Sequence, residues 1–564
     1  MDNLRIVLLE ILRFLMSYGP LIVYMMNVPR VLHYAQLEGY KNRDFFRWIT
    51  KNPRLAFKPA LGQTIAICGF YILTAILNNF FVLKFQGDTA IVVLFIEYIA
   101  ILLMFIVINF VQAIRDKKKR KLAKKPLVYT ARAKRLMFWN LITLAFLEVM
   151  FLDEVRQATI PVMVEMIRIV AYSIFTFLLP INMIISNLLA YPTERFIGDI
   201  YMDLAKLKLR RKPYKKLIKI GITGSYGKTS TKFILSTILS EKYNVLATPE
   251  SYNTTMGNVK VIRKMLKPEH EVFISEMGAR YRFDIQEICD LVRPKIAMIT
   301  SIGPQHLETF KNIENIVKTK AELLVSLPSD GVVFLPNDDS HCLKLYNKEK
   351  REKYIYGVND KHADVYAKDI KFNADGISFT AVTKNGEIKC VSKLLGEHNI
   401  QNILGCIAIA VYLGLSNEQI ANGVKKLEPI PHRLQLLPSS NGSIVIDDAF
   451  NSNPVGSKAA LDVIKKFDGR KIIITPGMVE LGNEEYKYNK EFGRNMASVV
   501  DIAILVGVKR SNAIVEGLRE GKFNDQNIFV VDNLDNASKK LQEITKAGDV
   551  ILFENDLPDN YDEK

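Results

Sequence analysis

Two apolar runs near the amino terminus restrict what this chain can fold into more than any other feature. Residues 60–84 (ALGQTIAICGFYILTAILNNFFVLK) and 90–114 (AIVVLFIEYIAILLMFIVINFVQAI) each exceed the roughly 20 residues a helix needs to cross a hydrocarbon core. Two weaker runs follow, at about 136–152 and 159–190. The second contains Glu165, Arg168 and Pro180, which favours burial within a helix bundle over lipid contact. The opening run, Leu4 to Val28, carries Arg5, Glu10 and Arg13. It is compatible with a span or with an amphipathic helix lying in the interface, and it is too interrupted for a cleaved signal peptide. The expectation is a helical membrane region of about four to five spans over residues 1–200.

Charge orients those spans. Of the net +17, much sits beside the apolar runs: Arg43, Arg47, Lys51, Arg54 and Lys58 before residue 60, and Lys117-Lys118-Lys119-Arg120-Lys121 with Lys124-Lys125 after residue 114. By the positive-inside rule both flanks are cytoplasmic, joined outside by a turn at Gln86-Gly87-Asp88. Arg132, Lys134 and Arg135 open the next hairpin on the inside, Asp153 and Glu154 fall in its outer loop, and the chain returns inside before Arg195. Everything after about residue 192 is then expected in the cytoplasm. Membrane lipid is an expected partner. Nucleic acid is not, because there is neither zinc-finger spacing nor an RNP-type aromatic motif. The five cysteines are scattered and lack CxxC pairing, so they read as reduced structural residues.

A basic linker, 201–216, precedes a second kind of sequence. Leu217–Ile222 reads as a buried strand, and it runs into Thr223-Gly224-Ser225-Tyr226-Gly227-Lys228-Thr229-Ser230-Thr231 and then a helical pattern over Phe233–Leu239. Strand, glycine loop and helix in that order cradle phosphates. Glycines admit backbone N–H groups, Lys228 reaches the β/γ-phosphates and the Thr229 hydroxyl ligates Mg²⁺. The strict P-loop spacing needs glycine at 222, where this chain has Ile222.

That variant spacing resembles the ATP loop of the Mur ligases, and further motifs arrive in the family's order. Ser251-Tyr252-Asn253-Thr254-Thr255-Met256-Gly257 is similar to the substrate loop. Phe273–Gly278 places Glu276 like the family's Mg²⁺-binding glutamate, and Thr300–Leu307 places His306 like a second metal ligand. Lys318-Thr319-Lys320-Ala321-Glu322 resembles the helix whose lysine is carbamoylated in several members, here Lys320. Gly396–Asn402 resembles G-x-H-N-x-x-N, which implies that Asn402 contacts adenine. His432-Arg433 resembles the motif whose arginine meets the γ-phosphate. Asp447-Asp448-Ala449-Phe450-Asn451-Ser452-Asn453-Pro454 and Gly477-Met478-Val479-Glu480-Leu481-Gly482 are similar to the branch that adds D-alanyl-D-alanine, with Asp448 on the nucleotide and Asn451 and Asn453 on substrate.

The resemblance covers about residues 217–550 and implies a fold class. An α-helical transmembrane region is followed by two α/β domains: a P-loop ATP-binding domain at 217–430 and a doubly wound, Rossmann-like domain at 431–564. It also implies ATP and Mg²⁺ as cofactors and acyl-phosphate chemistry on a cell-wall precursor, UDP-linked or lipid-linked, with other cell-wall membrane proteins as further partners. Three departures stand out. The usual UDP-sugar-binding domain is replaced by apolar helices. The final GD-x-V-L-x-K-G-S-like stretch reads Gly548–Asp556, with Glu554 at the lysine position, and Asn489 stands where a histidine is usual. These leave open a Mur-like ligase for another product, such as a poly-γ-glutamate-type polymer, and also a non-catalytic ATP-binding scaffold.

Overall fold

The computed structural model describes residues 2–556 apart from 82–87, 124, 157–160, 251, 359, 374–375, 440–441 and 450–451. Within it the chain forms two units that meet in sequence at Ile197/Gly198.

The first unit is helical: Asp2–Leu37, Asn42–Lys51, Pro53–Phe81, Asp88–Leu122, Ala131–Arg156, Pro161–Phe177 and the start of Leu179–Arg210. Its core joins Val23, Tyr24, Tyr98, Phe105, Tyr172 and Met183 from helices distant in sequence. Polar side chains are buried among them. Tyr24 donates to Asn140 at 3.1 Å and accepts from Asn182 at 2.8 Å, and Asn140 donates to Ser186. Large apolar side chains point the other way: Ile65, Ile96, Phe146 and Val149 are each more than 60% exposed.

Among the described residues two helices are long and apolar enough to cross a membrane, Pro53–Leu73 and Phe95–Lys118. The weaker run at 159–190 is two helices bent by 74°, which would make a third span if taken together. Pro180 explains the break: it lacks an N–H to donate back and its ring crowds the preceding turn, so a new helix begins with proline in its first turn. Two smaller expectations are corrected. Asp153 and Glu154 belong to the helix Ala131–Arg156, whereas the turn at Gln86-Gly87 lies outside the described residues. The basic segment 201–216 is not an irregular linker either, because most of it continues the helix to Arg210. Ala205 and Tyr214 are buried against Val259, Ile262 and Leu266, and Lys208 Nζ donates to the Leu266 carbonyl at 2.6 Å.

The second unit holds two sheets. The first contains β1 (Ile218–Thr223), β2 (Val245–Ala247), β3 (Val272–Glu276), β4 (Ile296–Ile299), β5 (Val332–Pro336), β6 (Glu352–Gly357), β7 (Val365–Asn373), β8 (Gly376–Thr383) and β9 (Gly386–Ser392). Their order is β2-β3-β1-β4-β5-β6-β7-β8-β9. β1 to β6 are parallel and covered on both faces, which is why β3 and β5 are fully buried along their length. β7 to β9 form an antiparallel extension whose burial alternates along the strand, the mark of a sheet with one wet face.

The second sheet contains β10 (Gln435–Leu437), β11 (Ile444–Asp448), β12 (Lys471–Thr475), β13 (Ile502–Val506), β14 (Ile528–Val531) and β15 (Val550–Glu554), in the order β10-β11-β15-β12-β13-β14. All but β10 are parallel. This is the expected doubly wound layer. Because β15 inserts between β11 and β12, the carboxyl ends of those three strands bring Asp448, Glu554 and Thr475 side by side, where open α/β sheets bind ligands.

Candidate active site

β1 delivers the chain into the loop Gly224–Gly227, and the helix Lys228–Leu239 leaves it. Gly224 has φ 155°, and a Cβ there would lie 2.0 Å from Thr300 Oγ1. Gly227 has φ 77°, and its Cβ would meet Asn402 Oδ1 at 2.8 Å. Only glycine fits either place. The loop is clamped from the segment after β4: Ser225 N donates to the Ser301 carbonyl at 2.8 Å, Tyr226 N to Ser301 Oγ at 3.0 Å, and Tyr226 OH to the Pro304 carbonyl at 2.7 Å. Gly227, at the N-cap, brings no side-chain oxygen, so the first-turn N–H groups of Lys228, Thr229 and half-buried Ser230 face an incoming anion.

Glu276, at the carboxyl end of β3, has no exposed surface. Its Oε1 accepts from Thr229 Oγ1 at 3.0 Å and from Asn253 Nδ2 at 3.1 Å. Its Oε2 has no hydrogen bond and faces Lys232 Nζ at 3.0 Å, a pair buried completely on both sides. Sequence reasoning missed Lys232. A lysine one turn into a helix reads as solvated, and only the strand pairing that puts β3 beside β1 shows otherwise.

Two more cations, Lys228 and Arg433, lie within electrostatic reach of this carboxylate, and Lys320 lies beside Lys228. Lys228 Nζ donates to the Gly224 carbonyl at 2.7 Å and the Ser225 carbonyl at 3.0 Å. Desolvation pushes its pKa down to about 8, opposed by Glu276 and reinforced by Arg433. Lys320 is buried, and desolvation with the neighbouring Lys228 holds it well below the ordinary lysine range. Lys318, two residues earlier on the same helix, is exposed. Arg433 comes from the second α/β layer and lies within electrostatic reach of both Glu276 and Asp448. Desolvation raises Asp448 to about 6 against the opposing pull of Arg433 and the Leu434 N–H.

The remaining expected residues have specific partners. Asn402 accepts from Thr231 Oγ1 at 3.2 Å and packs on Gly227. Thr254 caps the helix Thr255–Lys264, and Thr255 Oγ1 donates to Glu287 at 2.6 Å, so of the substrate-loop trio only Asn253 touches Glu276. Asn453 caps the helix Pro454–Ile464, while Asn451 lies outside the described residues. His306 meets Glu480 of the second layer through Nδ1 instead of joining an acidic cluster. Arg280 also donates to Glu480, at 3.3 Å. Asn489 holds the Glu480 loop by donating to the Met478 carbonyl and accepting from its N–H. His306, His432, Leu434 and Glu480 all have positive φ, a concentration of backbone strain typical of functional sites.

Among the described residues no three His, Cys, Asp or Glu side chains gather as a metal cage. Mg²⁺ does not require one, since it takes one or two protein oxygens plus phosphate and water. Thr229 and buried Glu276, whose Oε2 is ion-paired with Lys232 but takes no hydrogen bond, fit that oxygen chemistry.

Glu554, at the end of β15, is a second functional candidate. It is buried, accepts from Ser452 Oγ and from Thr475 Oγ1 (2.7 Å), and desolvation raises it to about 7. Its signal in the sequence was the carboxylate at a lysine position.

The fold and site define a phosphate-loop protein in which two α/β layers contribute cations to one buried carboxylate. Comparison with known proteins gives the family. Residues 222–410 match the Mur ligase middle domain and residues 432–554 the Mur ligase glutamate ligase domain. The chain is 30% identical over 338 residues to the UDP-N-acetylmuramoyl-tripeptide–D-alanyl-D-alanine ligase of Bacillus subtilis, covering 59% of this chain and 72% of that one. Against the Escherichia coli enzyme of the same name it is 29% identical over 297 residues, covering 52% and 65%. A crystal structure of MurF from Acinetobacter baumannii superposes with TM-score 0.58 at 26% identity, over 64% of this chain and 77% of that one. The chain belongs to the Mur ligase family of ATP-dependent ligases. Its helical unit falls outside both matched segments.

Two predictions follow from the buried charges. Lys232→Met removes the one cation in direct contact with Glu276 among the described residues and lowers stability by about 3–5 kcal/mol in chemical unfolding, whereas Lys318→Met at an exposed position changes it by less than about 0.5 kcal/mol. Equal effects would mean that the pair is not held in the folded chain. Glu554 retains in the folded chain, between its ordinary pKa of 4.5 and about 7, a proton that the unfolded chain releases. Stability therefore falls as pH rises through that window, and by pH 8 the loss is about 3 kcal/mol. Glu554→Gln removes this dependence. Parallel stability–pH curves for the two proteins would contradict the assignment.

Proposed function

We propose that this chain joins a carboxylate of a cell-wall precursor to an incoming amine, D-alanyl-D-alanine or a close analogue, at the cytoplasmic face of a membrane. The observation that carries the ligase reading is the gathering of Lys228, Lys320 and Arg433, from three separated segments, around the loop that ends at Thr229 and Glu276. Transfer of a phosphoryl group to a carboxylate brings two anions together, and pooled positive charge in a desolvated site is what that step demands. The acceptor carboxylate attacks the γ-phosphorus and ADP leaves. The amine then attacks the acyl carbon, inorganic phosphate departs and the amine loses a proton. Lys228 and Arg433 hold the phosphate charge, and Asn402 shapes the nucleotide side of the loop. Bound Mg²⁺, held by Thr229 and Glu276, would neutralise phosphate charge.

Lys320 serves this reading as a carbamate. Burial beside Lys228 favours its neutral amine, which adds to CO₂ with loss of a proton and turns a cation into an anionic oxygen ligand. Lys320→Ala is expected to lose most ligase activity and to recover part of it with added short carboxylates, while Lys318→Ala retains activity. The opposite pattern would assign the role to Lys318.

The membrane reading rests on an inverted polarity in the first unit, where Asn140, Asn182, Ser186 and Thr143 lie inside and large aliphatic side chains outside. The helices stand where relatives carry another domain, so the acceptor is presented at the membrane, as a lipid-linked precursor. The charge reversal at Glu554 favours one competing reading, a Mur-type ligase with a different amine and another product, such as a poly-γ-glutamate-type polymer. A truncated chain beginning at Gly198, which retains the helix packed on the middle domain, separates these ideas. It is expected to keep ATP binding and to lose most activity on a lipid-linked acceptor that the full chain uses. Equal use of a soluble UDP-linked acceptor by both proteins would leave the helices as an anchor.

A further inference from the structure

The helices Asp2–Leu37 and Asp88–Leu122 run side by side in the same direction, as their paired contacts ascend together. Asn27 Nδ2 donates to Asn109 Oδ1 at 2.7 Å, Arg30 faces Asp116, and just beyond the second helix His33 Nε2 donates to the Lys125 carbonyl at 2.7 Å. Arg30 sits in the middle of this series with only 5% of its surface exposed. Its Nε, Nη1 and Nη2 have no hydrogen-bond partner among the described residues. Among the described residues the one carboxylate beside it is Asp116, 3.8 Å from Nε, and its Oδ1 already accepts from Gln112 at 2.9 Å. Arg120, one turn beyond Asp116 on the same helix face, is close enough to repel Arg30, and its Nη1 is also buried without a partner.

Two guanidinium groups thus lie close together with one half-committed carboxylate beside Arg30. A buried guanidinium is costly unless its donors are satisfied, and none of Arg30's is. An anionic partner that offers several acceptor oxygens in more than one direction would satisfy these donors and the net positive charge together. A phosphate does so, because two arginine edges can each take a pair of its oxygens. The place suits this as well. The site lies where the apolar run 90–114 gives way to Arg115–Lys121.

We propose that Arg30 and Arg120, with Asp116 orienting Arg30, form a phosphate-binding site between these two helices. Its ligand is the phosphate of either a membrane phospholipid or a soluble phosphorylated compound. The site lies within the helical unit and does not depend on the ligase reading.

The test uses the full-length protein, delipidated in a phosphate-free maltoside detergent. Wild type, Arg30→Gln, Arg30→Lys, Arg120→Gln and the exposed control Arg54→Gln are compared. Each is offered phosphatidylglycerol against a phosphate-free galactolipid, and bound lipid is counted by native mass spectrometry. Inorganic phosphate is then titrated, with the unfolding temperature as readout. Wild type and Arg54→Gln should retain phosphatidylglycerol over galactolipid, and both Arg30→Gln and Arg120→Gln should bind it roughly tenfold more weakly. Arg30→Lys keeps the charge but loses the fork, so it should fall short of wild type while remaining folded. Stabilisation of wild type by inorganic phosphate without any lipid preference supports the site and assigns it a soluble ligand. Equal retention and equal stabilisation in wild type and the Arg30 and Arg120 variants would overturn the proposal and leave the guanidinium groups to buried water.

Discussion

Everything at the active site is arranged around one buried carboxylate. Glu276 ends a strand that is covered on both faces, so its charge has no water to meet and must be answered by the protein. Three segments answer it: the phosphate-loop helix through Thr229, Lys232 and, at longer range, Lys228; the loop after β2 through Asn253; and the start of the second layer through Arg433. A carboxylate satisfied in this way fixes the loop geometry before any nucleotide arrives. That preorganisation is where electrostatic catalysis has its advantage over water.

The second α/β layer completes the site with opposed charges. Arg433 is placed by β10 and its preceding turn, and it is balanced by Asp448 at the end of β11. Next to Asp448 in the sheet register stands Glu554, and His306 is engaged from the same layer by Glu480. The two layers therefore meet through charged groups as well as through apolar contacts such as Leu395 in the second layer's core. The charged contacts can be broken and remade as substrates enter and products leave.

Much of this was legible in the residues. The strand read at Leu217–Ile222 is β1, Ile218–Thr223, and the glycine loop and helix that follow it stand where the spacing put them. What escaped detection depends on long-range pairing. Lys232 looks like any polar helical residue until β3 is laid beside β1. The antiparallel strands β7 to β9 have short, half-polar repeats that do not separate from loops by pattern alone. Arg30 lies just beyond the opening run Leu4 to Val28, and its enclosure emerges only when the helix Asp88–Leu122 packs against it. The helix through Arg210 was masked by its basic composition, since lysine and arginine stems can cover apolar surface while their charges reach water.

The central claim is that the charges around Glu276 activate a carboxylate with ATP. Phosphate release by the full-length protein, measured with acceptor and amine added separately and together, tests it most directly. The account predicts release only when ATP, acceptor and amine are all present, and a loss of roughly 100-fold or more in Lys228→Ala through removal of one phosphate-stabilising cation. Substrate-dependent release that persists at wild-type rate in Lys228→Ala, or release indifferent to acceptor and amine, would contradict it.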